Sequence, residues 1–202
     1  MAIPETADAV QRAAFYAVIV CWWLFGLTFW LRKRPAKVRE AKRDWTSLFG
    51  LLLQAFAYFL VWFRPLQRKM FLPPSLGSKT TEWVLAALAV ILAAGSVWLV
   101  NSAARHLGKQ WALAARLVEG HELIQDGPYS LVRNPIYTGM FGMLLATGLV
   151  EGRWITLAIA IVVFVVGTYI RIQSEERILR EAFGAEFDAY ARAVPALIPG
   201  IY

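Results

Sequence analysis

Five apolar runs, at 13–31, 46–63, 83–100, 136–150 and 154–170, punctuate the chain, and charged residues gather between and after them. Each of the first three is long enough to cross a hydrocarbon core of about 30 Å at a helical rise of about 1.5 Å per residue. The fourth and fifth are shorter and are joined only by Glu151-Gly152-Arg153, which reads as a tight antiparallel helical hairpin. The expected fold is therefore an all-α integral membrane protein with about five transmembrane helices. Composition agrees: 58% of residues are hydrophobic, nine are Trp, only 17% are charged, and the mean hydropathy is +0.50, too apolar for an ordinary soluble domain.

The formal charge of +7 would suggest nucleic acid in a soluble protein. Here the basic residues flank apolar runs, so orientation and anionic lipid account for them, and nucleic acid is not an expected partner. With the N-terminus outside, 15 of the 21 Lys and Arg residues fall on the interior side, seven of them between Arg32 and Arg43. That bias predicts a cytoplasmic C-terminus. Cys21, the only cysteine, lies inside the first run, which excludes an intrachain disulfide and reads as a structural thiol. Glu5 and Asp8 precede that run and no small-residue cleavage site follows it, so the first span is expected to be retained.

Leu179, Phe183, Phe187, Tyr190 and Val194 recur at helical spacing on one face, while Arg180, Glu181, Asp188 and Arg192 lie away from it. An amphipathic cytoplasmic helix continuing from the fifth span is predicted, limited by Pro195 and Pro199. Gly139, Gly142 and Gly148 either give the fourth helix small faces for close packing or are merely tolerated there. No repeat, low-complexity tract or second soluble domain is evident. The whole of 1–202 reads as one membrane domain.

Chemistry concentrates between His121 and Tyr137. Irregular polar backbone beside a bilayer is tolerated where it is buried in protein or lines a wet cavity, the arrangement by which membrane enzymes build sites. Gly127-Pro128-Tyr129 has turn chemistry, and Asn134-Pro135 marks a break before the fourth helix, with Pro135 suited to an early helical position. Arg133 reads either as a planar fork for an anionic group or as a snorkelling, positive-inside arginine. Tyr129 and Tyr137 equally suit interfacial anchors. His121 stands with Glu119 and Glu122, and His106 precedes Leu107; neither forms a metal set, and no metal site is expected. At the exit of the fifth span, Arg171 faces Glu175 and Glu176 faces Arg180 at i to i+4, two ordinary ion pairs unless the carboxylates receive an ammonium or offset a sulfonium.

His121-x-Leu123, Gly127-Pro128-Tyr129, Arg133-Asn134-Pro135-x-Tyr137-x-Gly139, Glu175-Glu176, Phe183-Gly184 and Val194-Pro195 occur in that order over the last 80 to 100 residues. Together they resemble the isoprenylcysteine carboxyl methyltransferase family and its phospholipid N-methyltransferase relatives. The resemblance implies a membrane methyltransferase using S-adenosylmethionine in a cytoplasm-facing pocket, with three N-terminal spans in 13–100 and the catalytic part in 101–202. The membrane is the bacterial inner membrane or the endoplasmic reticulum, according to organism, and the oligomeric state is not set. Carried over by motif, His121, Leu123, Gly127, Tyr129, Asn134, Pro135, Tyr137 and Glu176 would hold the cofactor, with Glu175 adjacent. Arg133, Arg171 and Glu176 would flank the acceptor and the transferring methyl. The family usually places histidine where this chain has Asn134, whose amide hydrogen-bonds but cannot become cationic.

The implied acceptor is a lipidic or hydrophobic small molecule carrying a carboxylate, amine or thiol. A carboxylate needs positioning; an amine or thiol must first lose a proton, to Glu176, Tyr137 or His121. Two rival readings are a membrane NADPH-dependent reductase of the sterol-reductase type, which resembles the same carboxyl-terminal pattern, and a non-catalytic scaffold or transporter subunit. The Gly127-Pro128-Tyr129 turn and the Phe183-Gly184 and Val194-Pro195 elements favour the methyltransferase.

Overall fold

A computed structural model describes residues 5–31, 45–63, 79–108, 122–151 and 154–200. These residues form six α-helices: α1 (Glu5–Trp30), α2 (Trp45–Trp62), α3 (Lys79–Leu107), α4 (Pro135–Glu151), α5 (Trp154–Phe183) and α6 (Ala185–Ala193). A single 3-10 turn, Gly127–Ser130, stands between α3 and α4, and no strand occurs among the described residues. Helices satisfy their own backbone groups, which a bilayer interior demands. Three of them, α1 over Ala9–Trp30, α3 and α5, are long and apolar enough to cross a membrane, and α2 over Thr46–Trp62 is a shorter apolar helix. Large apolar side chains point outward along these helices, among them Trp23 at 77% exposure, Trp30 at 81% and Ile91 at 68%. Exposed surface of that kind is stable against lipid rather than water. The described elements are all helical, and the chain is a helical membrane protein.

α4 is the wall shared by two halves of the bundle. On one side Met143 and Ala146 pack with Val18 and Phe25 of α1 and Ala89, Ala93 and Val100 of α3. On the other, Leu144 packs with Ala57 and Val61 of α2 and Leu157, Ala160 and Phe164 of α5. Lipid tails are as apolar as these side chains, so association relies on close packing and interhelical hydrogen bonds. Both are present. Trp22 Nε1 donates to Thr147 Oγ1 at 3.0 Å, and the Tyr58 hydroxyl donates to the Met140 carbonyl at 2.7 Å.

The glycines of α4 do serve close packing, but two of the three face a different neighbour from the hairpin partner. A Cβ on Gly139 would strike Val100 and one on Gly142 would strike Ser96, both on α3; only Gly148 abuts Leu157 of α5. The tight approach of α5 is to α2. There a Cβ on Gly50 would lie 2.6 Å from the Gly167 carbonyl oxygen and 2.7 Å from Arg171 Cγ, and one on Gly167 would lie 2.7 Å from the Gly50 carbonyl oxygen. No side chain fits between these backbones.

The expected unbroken tail helix is a correction. α5 ends at Phe183, Gly184 adopts φ +52, and α6 sets off in a new direction. That backbone region is accessible to glycine at little cost, and it ends the helix where the apolar spacing alone suggested continuation. The turn brings buried Phe187 and Tyr190 of α6 back over the site.

Candidate functional site

The described part of the segment leading into α4, residues 122–134, is built around two fixed points. Gly127 has φ +56, and the His106 ring lies where its Cβ would be, so a side chain is excluded twice over. The following turn closes with Tyr129 N donating to the Asp126 carbonyl at 3.1 Å, burying Pro128 and Tyr129. At the other end Pro135 opens α4, as its fixed φ and missing N–H favour. Val132, Pro135 and Tyr137 are buried beneath the segment.

The C-terminal stretch lies along this entry to α4. Arg133 N donates to the Pro195 carbonyl at 2.8 Å and Asn134 N to the Ala196 carbonyl at 3.1 Å. The Asn134 amide reaches the same Ala196 carbonyl at 3.0 Å, and Thr138 Oγ1 donates to the Leu197 carbonyl at 2.6 Å. A titrating group at position 134 is not needed for this work: neutral donors suffice. From the other side the Tyr190 hydroxyl donates to the Tyr129 carbonyl at 2.6 Å, tying α6 to the turn. Burial pushes the Tyr190 phenol up to about 12, aided by the Glu176 carboxylate and opposed by Arg133.

At the centre, Arg133 Nε and Nη2 donate to Glu176 Oε1 at 2.9 and 2.7 Å, while Nη1 donates to the carbonyls of Ala191 (2.8 Å) and Val194. Four of the five guanidinium N–H groups are thus engaged by α5 and the C-terminal stretch. Arg133 is a clasp rather than a snorkelling residue. Below it, the Tyr137 hydroxyl donates to Glu175 Oε1, the Arg171 guanidinium lies 3.6 Å from the same oxygen, and Arg171 Cζ sits 5.1 Å from the Tyr137 ring centre. The i to i+4 pairs read from the sequence both form, at 3.6 Å for Arg171–Glu175 and 3.9 Å for Glu176–Arg180. Glu176–Arg180 is looser than the longer-range contact of each of its members, Arg133–Glu176 at 2.7 Å and Arg180–Asp188 at 2.8 Å.

Of these residues, Arg133, Glu175 and Glu176 border a partly open cleft. Its lining includes Leu123, Tyr129, Arg133, Asn134, Glu175 and Glu176, six of the positions the motifs single out. Gly127, Pro135, Tyr137 and Arg171 do not line it and support it from behind or below. His121 falls outside the described residues. Glu122, Leu107, Ile124, Leu179, Phe187 and Tyr190 complete the wall. The apolar spacing of the tail had marked Leu179, Phe187 and Tyr190, yet nothing in that spacing says that their face covers a cleft. Among the described residues no group of three or more His, Cys, Asp or Glu side chains is placed to hold a metal ion.

Comparison with known proteins places this region in context. The family model described as phospholipid methyltransferase matches residues 84–186. Protein-S-isoprenylcysteine O-methyltransferase of Schizosaccharomyces pombe is 32% identical over 105 residues, 50% of this chain and 44% of that protein. Protein-S-isoprenylcysteine O-methyltransferase B of Arabidopsis thaliana is 34% identical over 85 residues, 42% of this chain and 43% of that one. The nickel-cobalt-cadmium resistance protein NccN of Alcaligenes xylosoxydans xylosoxydans is 31% identical over 118 residues, 58% and 52% of the two chains. The chain spans about half the length of the curated relatives it matches. The family match runs from early in α3 through the turn and Glu175-Glu176 to the start of α6, and on it this chain belongs to the phospholipid methyltransferase family.

Proposed function

We propose that the protein transfers a methyl group from S-adenosylmethionine to a lipidic or hydrophobic acceptor, at a cleft facing the cytoplasm. One observation carries the reading: the Glu175-Glu176 pair of α5 meets Leu123, Tyr129, Arg133 and Asn134 in a single cleft within the family-matched region. The donor set suits that cofactor. Glu122, Glu175 and Glu176 bring carboxylates into the lining, groups that suit a ligand bearing sulfonium and ammonium charge. Tyr129, Phe187, Leu107 and Ile124 offer the aromatic and apolar walls a purine requires.

When bound, S-adenosylmethionine supplies an electrophilic methyl on positively charged sulfur. The chain's own contribution is alignment and dryness. Arg133 clasps Glu176 to the C-terminal stretch and fixes that carboxylate, while Tyr137 and Arg171 together fix Glu175. Methyl transfer needs its nucleophile held about 3 to 3.5 Å from the reacting carbon, in line and without competing water. Glu176 Oε1 is committed to Arg133, so it is poorly placed to take a proton as well. An acceptor that is already anionic suits these residues best. We assign Arg171, which lies below the cofactor cleft and outside its lining, to orienting a carboxylate acceptor that enters from the membrane side, in keeping with the isoprenylcysteine O-methyltransferases among the relatives.

The proposed topology has five crossings in one membrane domain. α2 and α4 would cross as the short members, at about 27 and 25 Å for a rise of about 1.5 Å per residue, with local thinning or flanking anchors taking up the difference. Incubating the purified protein with methyl-labelled S-adenosylmethionine and a membrane lipid extract tests the function. Label is expected in a base-labile lipid ester; absence of label from every lipid fraction, with a folded protein, removes the proposal.

A further inference from the structure

We infer that Gln54 of α2 is a positioning residue for the Arg171 guanidinium, so that a helix preceding the family-matched segment completes the site. This inference rests on the reading of Arg171 as an acceptor-orienting group. Gln54 is 1% exposed, in the middle of a helix otherwise made of apolar residues between Phe49 and Trp62, apart from the tyrosine hydroxyl. A carboxamide at that depth is costly unless its groups are paired. Its Nε2 donates to Thr168 Oγ1 at 2.8 Å, and its Oε1 accepts from Arg171 Nη1 at 3.2 Å.

The two bonds divide the labour. Thr168 sits one turn before Arg171 on α5, so its hydroxyl holds the amide in the orientation that turns the oxygen toward the guanidinium. Arg171 is itself only 4% exposed and reaches from α5 to Gln54 on one side and to Glu175 and Tyr137 on the other. Its stem passes the Gly50–Gly167 contact, where a Cβ on Gly50 would come within 2.7 Å of Arg171 Cγ. One turn of α2 therefore supplies both the notch for the stem and the acceptor for the head. Removing the amide leaves the guanidinium buried with one fewer partner and free to rotate away from the Glu175 oxygen.

The test compares Gln54→Met, which keeps length without hydrogen bonds, with Gln54→Glu, which keeps an acceptor oxygen toward Arg171. The detergent-solubilised protein, labelled with ¹⁵N at arginine, is observed by guanidinium NMR, with the Arg171 signal assigned by its loss in Arg171→Lys. Restricted Nη rotation at Arg171 is expected in the parent and in Gln54→Glu and lost in Gln54→Met. Methyl transfer to lipid extract should fall about tenfold to a hundredfold in Gln54→Met, the scale of a misplaced orienting group, with a much smaller loss of S-adenosylhomocysteine affinity because Tyr137 still holds Glu175, and with partial recovery in Gln54→Glu. Unaltered Arg171 rotation in Gln54→Met overturns the inference, as does altered rotation with full transfer. If Arg171→Lys transfers label like the parent, the assignment of Arg171 itself fails, a result the NMR comparison keeps separate.

Discussion

Glu176 faces two cations: Oε1 takes both bonds from Arg133, and Oε2 lies 3.9 Å from Arg180. Glu176→Gln keeps the shape and removes the charge, so S-adenosylhomocysteine affinity should fall more than about tenfold, the equivalent of roughly 1.5 to 3 kcal/mol for a charge-assisted bond. Calorimetric titration checks this, and parental affinity would make the residue purely structural. Arg133→Lys should impair cofactor affinity and turnover together, because a single ammonium cannot reach Glu176 and the Ala191 and Val194 carbonyls in one planar fork. Loss of turnover alone would instead place Arg133 at the acceptor. Tyr190→Phe removes the bond to Tyr129 and should cost about 0.5 to 1.5 kcal/mol. The folded phenol titrates at about 12, above its ordinary value of about 10, so this contribution is present in full below about pH 10 and fades as pH rises through the folded value. Denaturant midpoints of parent and variant at pH 7 and 9 should differ by the same amount.

Among the elements, the α2–α5 contact is the one least open to change. Gly167→Ala would drive a Cβ against the Gly50 carbonyl and Leu53, and overpacking of this kind costs about 1 to 3 kcal/mol. A lower thermal midpoint together with reduced methyl transfer is expected, since the shift also moves Arg171. The helices themselves were legible from the apolar runs, because a run of that length has few alternatives near a bilayer. The start of α4 was legible from Asn134-Pro135. The partners of the helices were not: Gly139 and Gly142 read the same whether they face α3 or α5, and small residues specify closeness without naming the neighbour. The break at Gly184 was hidden for a related reason, since the apolar spacing of Leu179, Phe183, Phe187 and Tyr190 persists across it. Gln54 left a trace in the sequence as a lone amide in an apolar run.

At the scale of the molecule, two segments far apart in sequence make one cleft, and the C-terminal stretch is the strap that holds them. The motif residues 123–137 and 175–176 could be named from the sequence, but not the carbonyls of Ala191, Val194, Pro195 and Ala196 that hold Arg133 and Asn134, since a backbone oxygen leaves no mark on residue type. The five-crossing topology puts positions 37 and 75 on opposite sides of the membrane. Cysteines introduced there should label from opposite faces, and labelling of both from one face would overturn it. The central claim, a cofactor cleft for S-adenosylmethionine, is tested most directly by the thermal midpoint of the detergent-solubilised protein titrated with S-adenosylhomocysteine and, separately, with NADPH. Binding to the folded state alone should raise stability by about 2.7 kcal/mol at a hundredfold excess over the dissociation constant. A concentration-dependent rise with S-adenosylhomocysteine and none with NADPH is the predicted result; a rise with NADPH alone would contradict the account and point to a reductase.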